Sequence, residues 1–453
     1  MKRLVFLSLV AMLVMAALLP AAGAATAQDE PIEINAWVAF SDYRLDWATE
    51  VAAAFNAEYP QYNVVVTGGY TYEELFAQVT VAAEQDELPA IVQFFEAGTQ
   101  DARDSGLFKS IQTALGDRTE VNGIPTNFDD IVGPVRAYYS LDGEFTSMPW
   151  NASSALMFNN MTILNAAGIE EPPQTWADVD AACEAVMAMD SAPEYCFTFP
   201  NHGWFFEQWL AQQDGLFVNN DNGRSARATE VAFNSDAGVA VLNWLNDMYD
   251  KGYLYYSGAQ GGDSWGTVDQ AYQTQQVAMA AYSSSDTTLY TNLGIENGFE
   301  TVASYLPYNQ ETGWTGNLIG GATLWLTDGL EPEVEDGALS FMLYMANTEN
   351  AASWHKLTGY IAIRESANDL LEAEGWFEEN PNQTVAADEL SNTEITPATS
   401  GALVGGFPAI RNVVTAAIDR VLLTDDDPAT VLDEAAAEAN TIIEEYNLLN
   451  APE

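Results

Sequence analysis

Positive charge is scarce in this sequence, which sets 10 arginines and four lysines against 66 carboxylates. A guanidinium in an apolar setting is therefore a candidate for function. Arg411 is one, following the run Gly405-Gly406-Phe407-Pro408-Ala409-Ile410. Its planar fork of donors matches the oxygens of a phosphate or a carboxylate, so it suits either anion capture or a surface ion pair. Glu96 closes the apolar run 90–95, where a buried strand would release its next side chain. A carboxylate there can accept hydroxyl protons from a polyol, or it is an ordinary loop acid. The two histidines, His202 and His355, lie in no histidine-rich metal pattern and beside no Gly-x-Ser-x-Gly turn. That argues against a hydrolase, although paired carboxylates in so acidic a chain leave glycoside hydrolysis open. No cofactor or metal motif is present in the sequence.

The elements that must position these groups read as alternating strands and helices. Strands are expected at 32–40, 62–67 and 90–95, with helices at 47–58 and 72–85 between them. This order predicts a parallel α/β sheet, in which ligands sit beyond the carboxyl ends of the strands, where Glu96 falls. A second α/β unit begins near Pro149. Thr175, after Pro172-Pro173 and three residues before Asp178, reads as the N-cap of a helix reaching about 189. Further helices are expected at 237–249, 337–346, 351–357 and 430–449, and strands at 276–282 and 321–326. No low-complexity linker separates the two units, so the chain should cross between them several times.

The N-terminus has the order of parts of a secretory signal, with basic Lys2-Arg3, an apolar run from Leu4 to Leu19 and small residues up to Ala27. The run is shorter than a spanning helix needs. The mature chain is expected outside the cytoplasm, where Cys183 and Cys196 can close a short disulfide loop if their geometry allows it. A formal net charge of −52 disfavours nucleic acid and anionic lipid as partners. The acids are spread along the chain and describe a solvated surface.

Several segments together resemble the solute-binding proteins of carbohydrate-type ABC importers, and within them a glycerophosphate-binding branch. They include Gln93-Phe94-Phe95-Glu96-Ala97-Gly98-Thr99, Pro149-Trp150-Asn151-Ala152-Ser153, Gly320-Gly321-Ala322-Thr323-Leu324-Trp325, Trp354-His355-Lys356-Leu357-Thr358-Gly359-Tyr360 and Pro408-Ala409-Ile410-Arg411. The resemblance implies a two-lobed α/β fold of the maltose-binding-protein-like type II class, with three hinge crossings near 149–153, 282–285 and 344–347. After a signal peptide at 1–27, lobe I would comprise 28–149 and 285–345, and lobe II 150–284 and 346–453. It implies a monomeric receptor without catalytic activity, which closes on a small ligand and docks on a membrane permease.

The ligand it implies is glycerol-3-phosphate or a related glycerophosphate, with a neutral sugar or oligosaccharide as the alternative. Arg411 would hold the phosphate, helped by the backbone N–H of Gly321 and by the hydroxyls of Ser153, Ser283, Tyr72 and Tyr360. Glu96 would accept glycerol hydroxyls, and Trp204 would wall the carbon skeleton. Two departures bear on this set. Asn201 stands where the branch carries a first tryptophan, and Ala152 replaces a serine, which would make one wall more polar and remove a donor. So negative a surface should also slow the capture of a dianion. Stopped-flow association rates for such a ligand should rise with added salt; a fall would contradict this.

Overall fold

The computed structural model describes residues 30–141 and 143–450. The expected signal segment lies outside them. Among the described residues, two mixed sheets organise the molecule. In the first, strand Ile32–Trp37 pairs in parallel with Tyr62–Thr67 and with Ile91–Phe95. Strand Gly320–Thr327 then runs antiparallel between Ile91–Phe95 and Met148–Ser153. The helices between the first strands start as their sequences dictate. Thr71 and Glu74 form a reciprocal capping box that opens helix Tyr72–Glu84, so Tyr72 sits on its first turn at the carboxyl end of the sheet.

The second sheet centres on strand Ala155–Asn160, flanked by the antiparallel strands Met279–Ser283 and Thr301–Tyr305. Phe197–Thr198 extends it in parallel. Thr175 caps helix Trp176–Met187 through the expected box with Asp178. A disulfide ties that helix to the residue just before strand Phe197–Thr198 through Cys183 and Cys196, whose Cα atoms lie 5.3 Å apart. Helix Phe407–Leu423 packs on Gly203–Gln212 and Asp236–Asp250, and the long helix Pro428–Leu449 covers it. Both Phe407–Leu423 and Gly203–Gln212 are additions to the elements expected from the sequence. Gly203–Gln212 is buried at every position, so it shows no amphipathic period to read.

The hinge differs from expectation at two crossings. The first passes through Ser154, the single residue between strands Met148–Ser153 and Ala155–Asn160. The second was expected at 282–285, but the chain does not leave the second sheet there. It forms helix Thr287–Asn297 and returns as Thr301–Tyr305 beside Ala155–Asn160, crossing to the first sheet only between 306 and 319. Residues 285–305, assigned to lobe I from the sequence, thus build on the second sheet. The polar Ser283-Ser284-Ser285-Asp286 stretch marks a strand end at the cleft rather than a change of lobe. The third crossing, expected at 344–347, also comes later: helix Thr348–Thr358 packs on both Tyr43–Glu58 and Thr287–Asn297, and the residues after it still bond the first half, the Ile363 carbonyl accepting the Val132 N–H and the Ser366 N–H donating to Asp130.

Gly321 shows how tightly the first sheet is assembled. Its φ is +103°, and a Cβ there would lie 2.1 Å from the Asn151 carbonyl oxygen on the paired strand. Gly321→Ala should lower stability by about 1–3 kcal/mol through strain and overpacking. Chemical denaturation would show this as a lower midpoint, and an unchanged midpoint would contradict the register.

Candidate functional site

The carboxyl ends of both sheets face one cleft of about 270 Å³. Tyr72, Glu96, Ser153, Trp204, Ser283, Gly321, Tyr360 and Arg411, the residues singled out from the sequence, all line it. Asn201 and Ala152 do not. Asn201 is buried, donating to the Tyr256 hydroxyl at 2.9 Å and to the Thr415 carbonyl. Ala152 is buried in the sheet opposite Gly321. The expectation that these two substitutions alter the cleft wall is therefore corrected. His202 and Trp265 join Trp204 on that wall, the two indole centroids lying 6.4 Å apart.

Arg411 stands on the second turn of helix Phe407–Leu423. Its approach depends on Gly203, where a Cβ would lie 2.5 Å from Arg411 Cγ. The Arg411 guanidinium donates from Nε to Glu207 Oε1 (2.5 Å) and from Nη2 to Glu207 Oε2 (2.8 Å). Nη2 also donates to Glu96 Oε1 at 2.9 Å. One cation therefore bridges a carboxylate from each half of the molecule, packed between the Phe95 and Phe407 rings. Arg411, Glu207 and Glu96 are only 3, 5 and 7% exposed. Burial disfavours the arginine's charge, yet Glu207 and then Glu96 outweigh that and hold its proton. Burial likewise pushes both carboxyls above their ordinary range, and Arg411 offsets part of the rise. Nη1 makes no hydrogen bond to the described residues and remains available to a ligand. Sequence reading missed Glu207; its signal was a lone acid inside the aromatic run Trp204–Trp209.

A second arginine was also missed. Arg44, on the first turn of helix Tyr43–Glu58, pairs with Asp42 at 2.6 Å and faces Asp286, from the other half, at 3.6 Å. His202 caps helix Gly203–Gln212, accepting the Trp204 N–H at Nδ1, which leaves Nε2 towards Glu73 at 3.6 Å. Burial would raise the Glu73 carboxyl, but His202 prevails and brings it down to about 2. The cleft thus has two guanidiniums and four carboxylates in its lining, Asp42, Glu73, Glu96 and Asp286.

The tyrosines are held by a polar relay and an aromatic bed. Gln93 accepts the Ala39 N–H and donates to Asn151, and Asn151 donates to the Tyr72 hydroxyl at 2.8 Å. That hydroxyl lies 3.3 Å from the Tyr360 hydroxyl. The Tyr72 ring stacks on Phe95 and the Tyr360 ring on Trp354. His355 is buried and bonds the Tyr360 backbone carbonyl through Nδ1 at 2.8 Å, a structural task.

Two sheets joined by repeated crossings, with a polar and aromatic cleft between them, define a two-lobed solute receptor. The chain belongs to the bacterial extracellular solute-binding proteins, whose family model matches residues 50–385. It is 28% identical over 403 residues to the sn-glycerol-3-phosphate-binding periplasmic protein UgpB of Escherichia coli K12, covering 87% of this chain and 89% of that protein. Its fold is shared with UgpB from Mycobacterium tuberculosis, solved with glycerophosphocholine (TM-score 0.76, 20% identity, 92 and 98% of the two chains). The sugar-binding protein MalE of Xanthomonas citri is similar as well (TM-score 0.74, 17% identity, 93 and 100%). Among the described residues, no helix is long and apolar enough to cross a membrane.

Removing the guanidinium tests the site's electrostatics. Arg411→Ala strands two buried carboxylates, and at neutral pH should cost about 3–5 kcal/mol. Both carboxyls would then titrate still further above their unfolded values. A carboxyl raised by folding costs nothing below its unfolded pKa and progressively more as the pH rises through its folded one. The deficit relative to wild type should therefore be largest at pH 8 and shrink towards pH 4.5. Denaturant melts across that range would check it, and a constant deficit would contradict it.

Proposed function

We propose that this protein is the extracytoplasmic receptor of an ABC importer, and that it captures a small glycerophosphate between its lobes for delivery to a membrane permease. The observation that carries this reading is the Arg411 guanidinium, buried at the cleft with Nη1 unengaged. The names of the relatives at 28% identity point to the same cargo. Arg411 would take one phosphoryl oxygen, assisted by the Gly321 N–H and the Ser153 and Ser283 hydroxyls. Glu96 and the Tyr72–Tyr360 pair would meet the glycerol hydroxyls, and the Trp204 face its C–H groups.

The charge balance refines the cargo. Arg411 is already shared between two carboxylates, and four acids line the cleft against two arginines. A dianionic monoester would face more repulsion there than a monoanionic diester. We therefore favour a glycerophosphodiester over glycerol-3-phosphate itself. A neutral sugar is the second reading, supported by Trp204 and Trp265 beside so many carboxylate acceptors.

Closure follows from differential affinity, because a ligand held by one lobe gains contacts to the other only when they meet. Titration calorimetry with glycerophosphoglycerol, sn-glycerol-3-phosphate and maltose separates the readings. The diester should bind about tenfold or more tightly than the monoester, a difference of about 1.4 kcal/mol. Binding of maltose with neither phosphate would overturn the glycerophosphate assignment and leave the receptor assignment intact.

A further inference from the structure

Away from the cleft lies a carboxyl that the binding site does not use. Glu389, on helix Val385–Asn392, is fully buried and has no arginine or lysine within ion-pair distance among the described residues. Its Oε2 accepts the Ser154 hydroxyl at 2.5 Å, and its Oε1 accepts the Leu306 backbone N–H at 3.0 Å. Ser154 is the first crossing, and Leu306 opens the second. Glu389 itself lies beyond the third. The neighbouring Asn317 reinforces the junction, donating from Nδ2 to the Ala155 carbonyl at 3.3 Å and from its backbone N–H to Thr393 at 3.0 Å. One side chain thus touches two of the three segments on which a rotation of the lobes turns.

We propose that Glu389 is a positioning residue for lobe closure, a single carboxyl that ties the first hinge crossing to the second and fixes the angle at which the lobes meet. The chemistry makes this tie responsive to protons. Burial pushes the Glu389 carboxyl up to about 8, against the lowering effect of its two donors. The helix packs on Gly133–Tyr139, Ala155–Asn160, Thr301–Tyr305 and Pro381–Thr384. Their ionisable side chains are Arg136, Tyr138, Tyr139 and Tyr305, and Asp388 adjoins on its own helix. Arg136 is committed to Asp129 and the Ile131 carbonyl, so no cation compensates the charge.

Protonated, Glu389 can exchange a hydroxyl hydrogen bond with Ser154 and still accept from Leu306. Ionised, it is a buried charge held by two neutral donors, which favours any hinge angle that admits water. The tied geometry is thus fully favoured below the ordinary carboxyl range and weakens as the pH rises through about 8.

The test needs no ligand. Small-angle scattering of the full mature chain is recorded at pH 5, 7 and 9 for wild type, Glu389→Gln and Glu389→Leu. Wild type should expand as the pH rises. Glu389→Gln is neutral at every pH, its Oε1 still accepting from the Leu306 N–H and its Nε2 donating to the Ser154 hydroxyl oxygen, and should stay compact, with its pH dependence lost. Glu389→Leu, with both ties gone, should be expanded at every pH while its near-ultraviolet dichroism stays native. If that variant fails to fold, the glutamine profile still decides. A glutamine variant that expands with pH as wild type does, a wild type with no pH response, or a folded leucine variant with wild-type scattering would overturn the proposal.

Discussion

The arrangement of this molecule turns on one guanidinium placed where water is excluded. Arg411 cannot shed its charge, so the fold must surround it with acceptors, and it does so with Glu207 from its own half and Glu96 from the other. A buried pair of this kind is weak evidence for net stability, because desolvation offsets much of the attraction. Its effect is on geometry. The fork of donors fixes the angle between helices Phe407–Leu423 and Gly203–Gln212, and the bond to Glu96 makes closure of the seam part of satisfying the charge.

Other contacts across the seam repeat that logic at lower cost. Arg44 faces Asp286, and His202 faces Glu73, in each case joining one half to the other. Arg227 and Tyr446 converge on Asp104 at the outer edge. A ligand entering such a cleft replaces contacts that the protein already makes with itself. Selectivity then depends on whether its oxygens can match the carboxylates and the unengaged Nη1 of Arg411, more than on the number of groups it touches.

Much of this was legible in the sequence because it is periodic or positional. The strands 62–67 and 90–95 and the capped helix at Thr175 follow from alternation and capping chemistry, and Glu96 from its place after a buried run. What escaped was set by tertiary context. Helix Gly203–Gln212 is buried on all sides and so has no polar face to reveal it. Glu207 was visible only as an acid among aromatics, and its partner lies 204 residues away. Arg44 beside Asp42 reads as any surface pair, since nothing local shows that Asp286 comes opposite. The second crossing was misplaced because a polar strand end resembles a hinge until the pairing of Thr301–Tyr305 is known.

The account rests on Arg411 keeping Glu207 while offering its remaining nitrogen to an anion. A crystal structure with bound cargo measures this directly. It should show an anionic oxygen within hydrogen-bond distance of Arg411 Nη1, with the Glu207 pair intact. Cargo oxygens that touch only carboxylates, hydroxyls and indole faces, with Nη1 unused, would contradict it.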